Sequence, residues 1–126
     1  MINIDKDIVQ LFENNGLNLL MFTPNMEVIL PSIVYEEISN TTIHRDKSTG
    51  LEYSKIRYDF TITTLEENSN DIYEISDLID DIMHSIGFRK LDASRIDSHN
   101  EVCDRELSYG AVICSDGYVY DYNSTI

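Results

Sequence analysis

Two adjoining patterns constrain this chain more than anything else in it. Ile56, Tyr58, Phe60 and Ile62 alternate with Lys55, Arg57, Asp59 and Thr61. That is the period of a strand with one buried face and one wet face. Further on, Ile72, Ile75, Leu78, Ile79, Ile82, Met83 and Ile86 recur at steps of three and four. Asp71, Glu74, Asp77, Asp80, Asp81 and His84 fall between them. The spacing predicts a helix with an apolar stripe and an acidic face. A strand and a helix with one apolar side each must cover one another or a partner.

The flanking punctuation extends this reading. A short helix is expected over Asp5 to Asn14, stopped by Asn15-Gly16. The apolar run Leu17 to Phe22 could be a strand or the tail of that helix. Met26 to Leu30 reads as a strand that Pro31 interrupts, and Ser32 to Thr42 as an extended segment. Arg45-Asp46-Lys47-Ser48-Thr49-Gly50 separates stretches 33–44 and 51–64 as the tip of a long hairpin. Ser69 or Asn70 should cap the long helix, and Gly87 should end it. A polar stretch runs from Phe88 to about Glu101. Asp116-Gly117 then turns a second hairpin between Leu107–Cys114 and Tyr118–Tyr122. The expected fold class is α+β: one domain over residues 1–126, with an antiparallel sheet, one long helix packed across it, a short N-terminal helix and extended hairpins.

The charge balance narrows the function. The 126 residues include 23 Asp and Glu against 9 Lys and Arg, a formal charge of −14. Sequence-independent nucleic-acid binding needs many Lys and Arg contacts to phosphate, and this chain has few. No basic amphipathic face or long apolar run suits a membrane. The start MINIDKD lacks the form of a signal peptide, so a cytoplasmic site of action is expected. Cys103 and Cys114 make no CxxC pair, and free thiols are expected rather than a bridge across a hairpin.

The residues give little ground for chemistry. Asp77, Asp80 and Asp81 could in principle share a proton or a cation. Lying opposite the apolar stripe, they read more simply as a solvated face. The loop from Asp46 to Glu52 lacks the ligand count of a calcium site, and His99 with Cys103 is poor evidence for a thiol nucleophile. Neither an enzyme nor a bound metal or cofactor is expected. The eight tyrosines carry more weight. Tyr118, Tyr120 and Tyr122 step by two and so share a strand face. Such a face lies either under a helix or at a subunit interface, where Tyr buries area while keeping a polar tip.

In their order along the chain, these elements resemble the tail-completion, or tail-terminator, proteins of tailed bacteriophages. The resemblance covers roughly residues 33 to 122. It rests on Tyr35-Glu36-Glu37 leading to the tip Arg45-Asp46-Lys47, the strand Ile56 to Ile62, and the helix Ile72 to Ile86 closed by Gly87-Phe88-Arg89. Arg105, Tyr109-Gly110 and the turn Asp116-Gly117-Tyr118 complete it. None of these residues is catalytic, and residues 1–31 lie outside the resemblance.

The resemblance implies a homo-oligomeric ring, usually hexameric, that caps the tail tube, ends its polymerisation and docks the head–tail connector protein. DNA would pass through the lumen without specific binding. The subunit would be found in the host cytoplasm during assembly and then in the virion. Six copies would carry six times −14, or −84, so the few cations should gather at contacts. The candidate subunit or tube-interface residues are Arg45, Lys47, Arg57, Arg89, Tyr118, Tyr120 and Tyr122. The alternatives are another neck or tail-tube-associated phage protein, or an acidic DNA-mimic inhibitor. The mimic would need its carboxylates in a long double row.

Overall fold

A computed structural model describes residues 2–24 and 29–125. The elements in chain order are α1 (Asp5–Asn14), β1 (Leu19–Met21), β2 (Ser32–Arg45), β3 (Glu52–Leu65), α2 (Asn70–Ser85), β4 (Arg89–Ala93), β5 (Asp97–His99), β6 (Val102–Cys114) and β7 (Val119–Asp121). The path across the sheet is β1-β2-β3-β6-β4. Strands β5 and β7 also pair with β6, so β5, β4 and β7 follow one another along a single edge of it. The architecture is α+β, as expected. The sheet is mixed rather than wholly antiparallel, because β1 runs parallel to β2.

Period-two burial runs through β3, where Ser54, Ile56, Tyr58, Phe60, Ile62 and Thr64 are buried, the residues between them are half-exposed and Leu65 at the end is exposed. Both helices lie on the buried face. Phe12 of α1 stacks on Phe60 with ring centroids 5.2 Å apart, and Phe60 meets Tyr109 of β6 edge-on at 5.8 Å. Ile72, Ile79, Ile82 and Met83 of α2 complete this core. Burying these four side chains contributes on the order of 6–12 kcal/mol gross, most of it offset by chain entropy.

Polar groups anchor both helices to the sheet. Tyr58 and Tyr109 are directly opposed across β3 and β6. The Tyr58 hydroxyl donates to Asp5 of α1, and the Tyr109 hydroxyl donates to Asp80 of α2. Lys90 Nζ donates to the same Asp80 at 3.1 Å. Asp80 is therefore no part of a purely solvated face. It sits where the flank of α2 meets the sheet margin. Leu78, expected in the stripe, is 45% exposed. The buried position in that turn is Ser76, whose Oγ donates to the Ile72 carbonyl at 2.6 Å and lies 3.3 Å from Arg105 Nη1. Hydropathy counts Leu over Ser, whereas the packing selects Ser76 because Arg105 needs a partner under the helix.

The two helices end alike. Leu17 N donates to Phe12 O, and Phe88 N to Met83 O; Gly16 (φ 79°) and Gly87 (φ 88°) make the left-handed turn. The α2 start differs from expectation. Ser69 holds the cap position in a helical conformation and gives no side-chain bond. A 3-10 turn over Glu66–Asn68 already delivers the chain in helical geometry, and Ile72 N donates to the Ser69 carbonyl at 3.2 Å. The expected strand Met26 to Leu30 falls mostly outside the described residues. Its described part, Ile29 and Leu30, is not strand. The polar stretch from Phe88 to about Glu101 contains β4 and β5, short edge strands rich in charge.

Burial and then the carboxylate partners raise the Tyr58 and Tyr109 phenols above their ordinary value of 10. A raised folded-state value contributes stability that is complete below pH 10 and is lost as pH climbs above it. Above pH 10 the unfolded chain has released these protons and the folded chain has not. Stability should then fall by about 1.4 kcal/mol per pH unit for each tyrosine. Urea unfolding between pH 8 and 11.5 should show this slope, and Tyr58→Phe with Tyr109→Phe should flatten it.

Candidate functional site

The second face of the sheet is the candidate site, and its layout follows from the register. Across one end run His44, Tyr53 and Cys114; beside them run Thr41, Lys55, Val112 and Tyr120. In the middle lie Ser39, Arg57, Gly110 and Arg89. Beyond them come Glu36, Asp59, Ser108 and Asp92, with Glu106 opposite Thr61 in the next row. The face therefore grades from aromatic, through cationic, to acidic along the strands.

At the aromatic end the two hairpins are joined. Glu52 N donates to Ser115 Oγ at 3.0 Å, and Ser115 N donates to the Glu52 carbonyl at 2.8 Å. Tyr53 lies 6.1 Å from Tyr120, Tyr120 lies 6.5 Å from Tyr118, and His44 lies 5.8 Å from Tyr53. Tyr118 is 68% exposed. Tyr122 covers Gly110, and Lys55 Nζ sits 4.2 Å from the centre of the Tyr122 ring. A Cβ at Gly110 would overlap the Tyr122 ring and approach Leu91 Cδ1 at 2.9 Å, so a side chain is excluded there by space.

The adjoining β2–β3 tip is a compact turn. Asp46 Oδ1 accepts from Ser48 N and Oγ at 2.9 and 2.7 Å, which holds its carboxyl below the usual value. Arg45 lies 3.8 Å from Glu52 with its side chain 72% exposed, and Lys47 is exposed. The fold thus brings Arg45, Lys47, Tyr118 and Tyr120 to one end of the molecule, while Tyr122 lies over Gly110 in the middle row. Arg57 and Arg89 are set apart in the middle rows. Arg57 Nε donates to Asp59 at 3.2 Å and Arg57 Nη2 to Ser108 Oγ at 3.1 Å; Arg89 pairs with Asp121 at 3.4 Å.

Sequence reasoning missed the acidic half of this face. Burial raises the Glu106 carboxyl. A hydrogen bond and the charge of Asp59 raise it further, Arg57 opposes the shift, and Asp92 adds to it. The pairing of β6 with β3 and β4 is what gathers these groups, and only the alternation of Asp59 within its strand was visible beforehand.

Among the described residues no cluster of three or more His, Cys, Asp or Glu could hold a metal ion, and no helix is long and apolar enough to cross a membrane. Cys103 and Cys114 are free and buried, and burial raises the Cys103 thiol. A hollow of about 230 Å³ between α1 and the end of α2 is lined by Ile4, Ile8, Leu11, Ile86, Phe88 and Val119, among others, with Asp7 at its wall. No family model matches the chain, and neither does any curated protein sequence.

Two outcomes follow. Gly110→Ala should displace Tyr122 and lower stability by about 1–3 kcal/mol, read from the urea midpoint. Because the folded-state value of Glu106 is raised, its contribution is complete below the ordinary carboxylate value and is lost as pH rises through the folded one. Glu106→Gln should therefore raise the urea midpoint at pH 7, and the gain should vanish below pH 4.

Proposed function

We propose that this chain is the subunit of a ring that caps the tail tube of a tailed bacteriophage, ends its polymerisation and presents a docking surface to the head–tail connector. The observation that carries the reading is the sheet face opposite the helices, with exposed Tyr118 and the hairpin tip bearing Arg45 and Lys47 gathered at one end of it. Exposed tyrosines are enriched where protein surfaces meet, because each buries a large area at small entropic cost. The order of hairpin, strand, Gly-Phe-Arg-closed helix and hairpin supports the same reading.

The net charge fits a conduit. Carboxylates lining a lumen would repel phosphate and let DNA slide without adhering. The same charge opposes assembly, since six copies at −14 each must approach closely. Counter-ions and buried contact area have to offset that repulsion.

Light scattering behind size-exclusion chromatography, followed by electron microscopy with purified tail tubes, tests the proposal. One species near six times 14.5 kDa, bound at tube ends and absent from tube walls, is the expected result. A chain that binds no tube ends in any oligomeric state overturns the reading.

A further inference from the structure

Strand β2 has 14 residues, yet β1 covers only Ile33, Val34 and Tyr35 on its outer side. From Glu36 to Arg45 no strand lies on that side among the described residues. Edges of this length are normally blunted by Lys, by Pro or by bulges. Residues 36–45 hold neither Lys nor Pro. Two bulges break the register with β3 instead, and the extra residues are Ile38 and Ile43. Both isoleucines are exposed, by 45% and 39%.

Two backbone bonds fix which residues turn their polar groups to this edge. Phe22 N donates to the Tyr35 carbonyl, so Tyr35 faces away from β3. At the other end Asp46 N donates to the Leu51 carbonyl, so Asp46 faces the returning chain and Arg45 faces outward. Counting between these anchors, with one extra residue at each bulge, Glu37, Asn40, Thr42 and Arg45 present N–H and C=O to the open edge. The steps between them are three, two and three residues, the same read in either direction.

We infer that a second copy of this chain adds to that edge antiparallel, about a two-fold axis at Thr41. Glu37 then stands opposite Arg45 of the second copy, Asn40 stands opposite Thr42, and each bulge meets the other bulge. A regular strand advances two residues between outward groups and would lose register at the first bulge. The strand that matches is one with two bulges at this spacing, which is β2 itself. Each outward pair exchanges two backbone hydrogen bonds, about eight in all. Ile38 and Ile43 come together across the axis, and Glu37 meets the opposite charge of Arg45 twice. The turn beyond is close to neutral, because Asp46 and Glu52 offset Arg45 and Lys47. Charge therefore selects the register, and the backbone supplies the pairing. Glu36 falls opposite Asp46 at each end, a like-charge pair that limits the contact to residues 37–45.

The contact goes beyond the ring reading and does not rest on it. It is isologous, so it closes at two copies, and a six-copy species would contain three such pairs.

Sedimentation velocity of the full chain tests the contact, with wild type expected to associate in pairs. Thr42→Pro removes an outward donor and none that β3 uses, and should weaken association by about tenfold or more. Arg45→Glu alone and Glu37→Arg alone each set like charges opposite one another and should weaken it as well. Their equimolar mixture should recover a mixed pair. Thr41→Cys would bring two Cα atoms to about 4.5 Å across the axis, within disulfide reach. It should cross-link on addition of copper phenanthroline, and Ser39→Cys, far from its own copy in this register, should not. Circular dichroism and the urea midpoint show that each variant is folded. Wild-type chain that stays monomeric at every concentration overturns the contact. So does Thr42→Pro that associates like wild type, a mixture that fails to recover, or Thr41→Cys that cross-links no better than Ser39→Cys. A pair that forms as stated but binds no tube ends leaves the contact standing and removes capping as a function.

Discussion

The structure depends on one cross-strand pair. Tyr58 and Tyr109 face each other at the centre of the sheet, and each sends its hydroxyl to a carboxylate on a different helix. Apolar packing alone would let either helix slide or rotate over a smooth sheet surface. A buried donor that must find its acceptor removes that freedom, because leaving it unmet costs about 1–3 kcal/mol. The pair thus sets the position of α1 and α2 together. With both helices placed on one side, the other side of the sheet carries no helix.

That division of labour explains why the open face can be so heavily charged. Its residues are not needed to hold the helices, so their identities are free to serve contacts outside the subunit. The gradient from tyrosines to carboxylates along β3 and β6 has little structural reason of its own. Within the subunit it even carries a cost, since Glu106 and Asp59 are forced close together. Departures of this kind from local consistency are expected at functional or strained sites.

The core was largely legible before the structure. Ile56, Tyr58, Phe60 and Ile62 announced their strand, Asp5 to Asn14 its helix, and Gly16 and Gly87 both helix ends. What was hidden falls into two physical kinds. Edge strands such as Arg89–Ala93 hold together by backbone pairing and need no apolar alternation, so their residues look like linker. Non-local juxtapositions, including Asp80 with Tyr109 and Glu106 with Asp59, depend on which strands become neighbours. No local pattern records that. The tyrosines of the last hairpin were marked as interface candidates on spacing alone. Their closeness to Arg45 and Lys47 required the two hairpin ends to be tied through Ser115 and Glu52.

The position of β6 in this topology has a consequence for the order of events during synthesis. Strands β3, β4, β5 and β7 all pair with it, yet it is made after every one of them except β7. Until residues 102–114 emerge from the ribosome, Ile56, Tyr58 and Phe60 have a strand on one side only, and Asp80 has no Tyr109 phenol to receive. The earlier hairpin can form, but the helices cannot settle. Folding is thus gated by a late segment and slowed by contacts distant in sequence. A chain cut short before β6 would lack the sheet that displays the open face. Truncated products would therefore present no such face, a form of quality control set by strand order alone.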